Sequence, residues 1–246
     1  MPELDKHDTP LPTTTVKWRF PSIHPEGRKY AVGVGAVALL VYWGVSHFIG
    51  WLLIGLTIWV ATFFRDPIRT TPRGDRLIVA PADGLITMIV KVPPPLELRG
   101  ADALDGAEYT RVSIFMSVFD VHINRSPIGG RIKRVAYVPG KFINADLDKA
   151  SEDNERQHFL VEGADGLKVG FTQIAGLVAR RILAFVKEGD TVEAGQRIGL
   201  IRFGSRVDVY LPAEAAPRVL LGQRAIAGET ILGIVGLDIP VTGTSQ

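Results

Sequence analysis

The sequence predicts a mainly β (α+β) protein: a barrel-sandwich-like β core carrying an N-terminal hydrophobic helical hairpin. Three observations lead there. A charge-free apolar stretch lies near the N-terminus, a series of short apolar runs follows, and two segments share a Gly-x5-Gly frame.

Residues 1–29 are polar, charged and Pro-bearing, and the apolar run begins too late for a signal peptide. From Tyr30 to Phe64 no residue is charged. As one helix this stretch would be about 50 Å long, against a hydrocarbon core of about 30 Å. The interruption Gly44-Val-Ser-His-Phe-Ile-Gly50 therefore predicts two short helices, near 30–44 and 50–64, with His47 in the turn between them. Lys17, Arg19, Arg28, Lys29, Arg65 and Arg69 flank the pair, and positive-inside orientation puts both ends in the cytoplasm, at the cell membrane.

Beyond Arg65 the composition changes to β-like runs bounded by Gly, Pro and Asp: 76–80, 85–92, 110–118, 130–138, 158–162, 167–174, 178–186, 197–203, 205–211 and 230–236. The third domain, after the tail 1–29 and the hairpin 30–64, is thus a β-rich unit over 65–246. One short helix is expected around 144–151. Gly189–Gly195 and Gly222–Gly228 each precede an apolar strand, and Ala80-Pro-Ala-Asp-Gly-Leu-Ile86 reads like the strand that opens a lipoyl- or biotinyl-type sandwich.

A net charge of +2 and a pI near 8.9 give only a mild basic bias. The clusters Arg65/Arg69/Arg73/Arg76 and Arg125/Arg131/Lys133/Arg134 suit anionic lipid headgroups near a bilayer. No nucleic-acid motif is present. The chain has no cysteine, which excludes disulfides, thiolate metal sites and a Cys nucleophile. Asp148-Lys149-Ala150 matches the tripeptide of a lipoyl carrier, but Gly189-Asp190 follows that lysine by some forty residues instead of closely preceding it.

Five segments could carry chemistry. In Ile201-Arg-Phe-Gly-Ser-Arg-Val-Asp-Val-Tyr-Leu-Pro212, residues Ser205, Val207, Val209 and Leu211 form one row, and Arg206, Asp208 and Tyr210 the other. Ser205 heads the apolar row, and Gly204 gives the peptide before it unusual backbone freedom, which suits a hydroxyl aimed at its own preceding carbonyl. Asp120 and His122 lie two apart. On a strand they share a face, so Asp120 could orient the imidazole. Asp83 sits in an Asp-Gly turn. The polar stretch Asn144–Gln157 reads as a solvated helix-loop or as a headgroup-facing loop. Gln173–Arg181 fits strand or helix, with Arg180 and Arg181 suited to phosphate or to any surface.

The segments Phe63-Phe-Arg-Asp-Pro67, Ala80-Pro-Ala-Asp-Gly84, Asp120-Val-His122, Lys149-Ala-Ser-Glu-Asp-Asn-Glu-Arg156, Gln173-Ile-Ala-Gly176, Ala179-Arg-Arg181 and Ile201-Arg-Phe-Gly-Ser205 are read together.

 These motifs resemble phosphatidylserine decarboxylase in its short bacterial form, in the family's order and spacing from about residue 60 to 235. The resemblance implies an inactive proenzyme in which the Ser205 hydroxyl attacks the Gly204 carbonyl. β-Elimination of the resulting ester then leaves chains 1–204 and 205–246, the second headed by a pyruvoyl group. It implies no metal and no pyridoxal phosphate. The amine of phosphatidylserine would condense with the pyruvoyl carbonyl as a Schiff base, and loss of CO2 followed by protonation would give phosphatidylethanolamine. His122 is the implied acid with Asp120 behind it, and Asp83 matches the family's aspartate. Longer members have a second histidine where this chain has Arg125, so either His122 serves both steps or Asp83 acts through water with Arg125 balancing charge. Arg125, Asn144, Glu155 and Arg156 are candidate substrate contacts. The partners expected are the lipid substrate, the bilayer and the chain's own cleaved half, with a homo-oligomer left open and no nucleic acid. A decarboxylase of another serine phospholipid, of archaetidylserine type, would share every motif. A membrane-anchored β-sandwich adaptor is the non-enzymatic alternative.

Overall fold

The computed structural model describes residues 19–74, 76–105, 108–140, 153–176, 181–202, 205–237 and 239–244. The expected helix at 144–151, Asn144, Lys149 and Gly204 lie outside the described residues. In chain order the elements are β1 (Ser22–Ile23), α1 (Pro25–Gly44), α2 (His47–Phe63), β2 (Arg65–Asp66), β3 (Leu77–Val79), β4 (Gly84–Val92) and a 3-10 turn at Leu96–Leu98. There follow β5 (Tyr109–Met116), β6 (Ile123–Arg125), β7 (Gly130–Val138), β8 (Arg156–Glu162), β9 (Lys168–Ala175) and β10 (Ile182–Ala184). The chain closes with β11 (Thr191–Val192), β12 (Arg197–Ile201), β13 (Ser205–Leu211), β14 (Arg224–Ala225) and β15 (Ile231–Ile234). The mainly β architecture with a helical hairpin is the one the sequence predicts, with its large sheet curled into a half-barrel.

Helix α1 begins five residues earlier than the apolar run. Pro25 occupies the first turn, where its missing N–H costs nothing, and His24 Nδ1 accepts the Glu26 N–H at 3.3 Å. Only Val45 and Ser46 separate the helices, so His47 opens α2 and is not a turn residue; its ring meets Tyr42 edge-on at 4.7 Å. Two glycines let the helices touch. A Cβ on Gly27 would overlap the Phe64 side chain, and one on Gly50 would overlap Tyr42. Gly50, which looks like turn punctuation in the sequence, is therefore a packing residue. At the base of the hairpin β1 pairs with β2, Ile23 opposite Arg65, tying the helices to the β domain.

The large sheet has eight strands in the order β11-β7-β8-β9-β13-β5-β4-β14. The two Gly-x5-Gly frames supply its edges: β11 lies within the first frame and β14 within the second. All four frame glycines have positive φ, which a residue with a side chain rarely adopts. Gly195 and Gly228 approach each other on either side of Thr71. Three-stranded β10-β12-β6 and two-stranded β15-β3 pack alongside, and the main core is lined by Ile78, Ile114, Phe159, Phe171, Val207 and Val209.

Strand β13 lies in the middle of the large sheet, laddered to β9 on one side and β5 on the other. All seven of its residues are buried. The row Arg206, Asp208, Tyr210 faces a second interior and not water. Leu98, Leu104, Tyr109 and Leu160 gather there around Tyr210.

Candidate active site

Ser205 is the first residue of β13, opposite Met116 of β5 and Ala175 of β9. It is fully buried, and among the described residues its Oγ has no hydrogen-bond partner. A buried hydroxyl without a partner costs roughly 1–3 kcal/mol, so a folded protein rarely keeps one without use for it. Ala175 is fixed from behind. Its carbonyl accepts Asn154 Nδ2 at 2.7 Å, and its N–H donates to the Glu155 carbonyl at 2.9 Å.

His122 is brought to the same end of the sheet by backbone. The Ile201 N–H donates to the His122 carbonyl at 3.3 Å, and the chain then reaches Ser205 in four residues, a span of at most about 14 Å. His122 is buried, and its ring stacks on Phe63 of α2, with centroids 4.2 Å apart at 30°. Burial pushes its pKa down to about 4, opposed by its contact with Asp120. Nδ1 lies 3.0 Å from the Asp120 main-chain oxygen. A carbonyl only accepts, so Nδ1 carries the proton and Nε2 the lone pair. That neutral tautomer is the form a general base needs at neutral pH.

The Asp120 carboxylate does not orient His122. Residues 117–120 form a turn, not a strand. Asp120 Oδ2 accepts the Ser117 N–H at 2.9 Å and the Ser117 hydroxyl at 2.8 Å, while Oδ1 pairs with Arg224. Asp120 reaches the imidazole through its carbonyl instead.

Asp83 stands just before β4, whose Leu85 lies opposite Phe115, one residue short of the position facing Ser205. Both of its oxygens are engaged: Oδ2 by Arg69 at 2.6 Å, Oδ1 by the Ala227 N–H at 2.8 Å. Burial raises its pKa and Arg69 works against the rise. Arg69 sits in the expected basic cluster, yet its partnership with Asp83 has no signal in the sequence.

Arg125 feels the charge of Asp83 without a hydrogen bond to it among the described residues, and its guanidinium is engaged by main-chain carbonyls. Nη1 donates to the Gly195 carbonyl at 2.7 Å and Nη2 to the Pro67 carbonyl at 3.0 Å, with Asp66 3.8 Å away. Burial lowers its pKa to about 10. Arg156 falls on the opposite face of the sheet from Ser205. It shares the row of His158 and Thr172, and Nη2 lies 3.5 Å from Glu97. Glu155 is buried beside Ala175, with its carboxyl bonded to Tyr137. Asn124 and Gln173 are further polar residues on the serine side. Gln173 Nε2 donates to Asn124 Oδ1 at 2.7 Å, and Asn124 Nδ2 approaches Met116 Sδ at 3.6 Å. Gln173 belongs to a motif visible in the sequence, whereas Asn124 lies in an Asn-Arg-Ser-Pro stretch that gives no such sign.

Residues 56–233 match the protein-family model described as phosphatidylserine decarboxylase. The chain belongs to the phosphatidylserine decarboxylase family. Among its relatives is the phosphatidylserine decarboxylase proenzyme of Novosphingobium aromaticivorans, 62% identical over 237 residues that cover 94% of each chain. The proenzymes of Zymomonas mobilis and Erythrobacter litoralis are 61% and 59% identical, each covering 93% of this chain and 94% of their own. The matched region takes in Asp83, His122 and Ser205, so the serine, the histidine and the aspartate of this phosphatidylserine decarboxylase family member all lie inside the family domain.

Proposed function

We propose that this chain is a proenzyme that cuts itself between Gly204 and Ser205 and then decarboxylates phosphatidylserine to phosphatidylethanolamine and CO2. The observation that carries the reading is the Ser205 hydroxyl, buried at the head of a central strand without a partner among the described residues. Ser205 Oγ attacks the Gly204 carbonyl carbon and gives its proton to a base. The peptide C–N bond breaks in favour of an ester, and elimination across Ser205 Cα–Cβ then releases the Gly204 carboxylate. Water converts the remaining dehydroalanine to a pyruvoyl group with loss of ammonia.

His122 is the base this geometry favours, because its tautomer leaves Nε2 able to accept. Once protonated, an imidazolium with so low a pKa gives its proton up readily, which suits it to deliver one to carbon later in the reaction. Asp83, paired with Arg69, holds fixed charge at the same sheet end. The pyruvoyl group fits a position where a buried hydroxyl has no bond to lose, and when formed it supplies the electron sink that no ordinary side chain provides.

The exposed apolar surface of the hairpin supports a site that works at a lipid surface. Trp43, Phe48, Trp51 and Leu52 are exposed, with Arg28, Lys29 and Arg65 nearer its base. No helix among the described residues is long and apolar enough to cross a membrane. In this reading the apolar tip of the hairpin enters the bilayer from the side on which the basic residues at its base lie, α2 spanning about 26 Å over its 17 residues.

The test is the intact mass of purified protein. Wild type should separate into two chains, the smaller being 205–246 with a blocked N-terminus. Ser205→Ala should stay whole and inactive, and spontaneous splitting of that variant would remove the mechanism.

A further inference from the structure

Beyond its apolar outer surface, the hairpin touches both the proposed base and the segment that precedes the proposed cut. On the base side, Phe63 of α2 stacks on His122, while Phe64 packs against Tyr30 with centroids 5.7 Å apart. On the chain side, Arg202 stands three residues before Ser205. Its Nη2 donates to Glu26 Oε2 of α1 at 3.0 Å, and its guanidinium carbon lies 5.4 Å from the Tyr30 ring centre. Tyr30 thus touches both the arginine and the phenylalanine next to the one that covers the histidine. Glu26 Oε2 is shared with Lys29 at 3.3 Å, and the Arg202 N–H is held by the Arg181 carbonyl at 3.2 Å.

We infer that Phe63, Glu26 and Tyr30 are positioning residues for self-cleavage: the hairpin base sets the His122 ring and the segment leading to Ser205 against one another. The inference rests on cleavage at Ser205. Its physical basis is that nucleophile, base and carbonyl must meet within a few tenths of an ångström, and a displacement of about 1 Å can cost about a hundredfold in rate. Glu26 is 36% exposed and shares its carboxylate with Lys29, so solvent screens the pair with Arg202, and geometry explains it better than holding the fold together does.

A charge-exchange experiment on the full chain separates the two roles. The splitting rate of newly made protein is followed by gel or mass for wild type, Glu26→Arg, Arg202→Glu and the double variant. Each single reversal should slow splitting at least about fivefold, and the double should recover to within about twofold of wild type. Phe63→Leu, which keeps burial but loses the flat ring, should slow splitting about tenfold. Thermal melts of the same variants on a Ser205→Ala background should stay near the parent. Single variants that split at the wild-type rate overturn the inference, as does a double no faster than the slower single. A drop in melting temperature with no recovery in the double overturns it in favour of a purely structural role. Wild type that never splits brings down the cleavage mechanism itself, a different failure from unaffected variants.

Discussion

The two faces of β13 are equally buried and chemically opposite. On one, Val207, Val209 and Leu211 continue below Ser205 into the main apolar core. On the other, Arg206 and Asp208 are fully buried and ion-paired: Nη2 donates to Oδ2 at 3.1 Å, and Nε stands 2.9 Å from Oδ1. Arg111 stands 3.9 Å from the same carboxylate, with Ser113, Thr172 and His158 alongside in register. The difference teaches that alternation along a strand need not mean inside and outside. A strand in mid-sheet can divide two interiors, one filled by dispersion and one by matched charge. The charged row also fixes register, since a slip of one residue would drive Arg206 into the apolar side.

Single truncations should separate the faces most sharply. Asp208→Ala leaves the Arg206 charge buried without its carboxylate and should cost about 3–5 kcal/mol. Denaturant unfolding on a Ser205→Ala background, where the chain stays whole, measures it. A loss under about 1 kcal/mol would mean that the polar face is wet and the contrast false. On the apolar face, Leu211→Ala should cost about 3 kcal/mol through lost transfer energy and a residual cavity.

Histidines on the two sides provide a pH test. Burial pushes His122 and His158 both down to about 4, and Glu97 opposes the shift at His158. Their unfolded values are near 6.5, so between about pH 6.5 and 4 the unfolded chain binds more protons than the folded one. Stability therefore holds above that window and falls as pH drops through it, by at most about 1.4 kcal/mol per pH unit for each histidine. His158→Gln should remove one share of that slope, visible as the difference between the two unfolding curves. Identical slopes would mean that His158 protonates freely in the folded state. The smallest effect is expected when the ion pair is replaced whole. Arg206→Met with Asp208→Leu should change stability by no more than about 1 kcal/mol or raise it, whereas a loss near that of Asp208→Ala would show that the pair contributes net stability.

Most strands are legible because Gly, Pro and Asp bound them: the predicted 85–92, 130–138 and 205–211 correspond to Gly84–Val92, Gly130–Val138 and Ser205–Leu211. β6 is missed because Ile123–Arg125 is three residues of mixed polarity, and β11 and β14 because they are two-residue edge pairings decided by the sheet they join. The hairpin is visible, but the start of α1 is not, since Glu26, Arg28 and Lys29 extend it past the apolar run. Within the site, Ser205 and His122 stand out from their motifs. What they touch does not: Asp120 sits in a turn, so its carboxylate points elsewhere, and Asp83–Arg69 and His122–Phe63 are joined only by tertiary packing.

The middle position of β13 has a consequence for what the proposed cut would leave behind. Two hydrogen-bond ladders and two packed faces hold residues 205–211, and over 206–211 they run along the strand beyond the 204–205 peptide bond. Dilution therefore has nothing to act on, because the small chain can leave only when the sheet itself comes apart. The halves should travel together through purification at any concentration, and their exchange between molecules should run no faster than global unfolding.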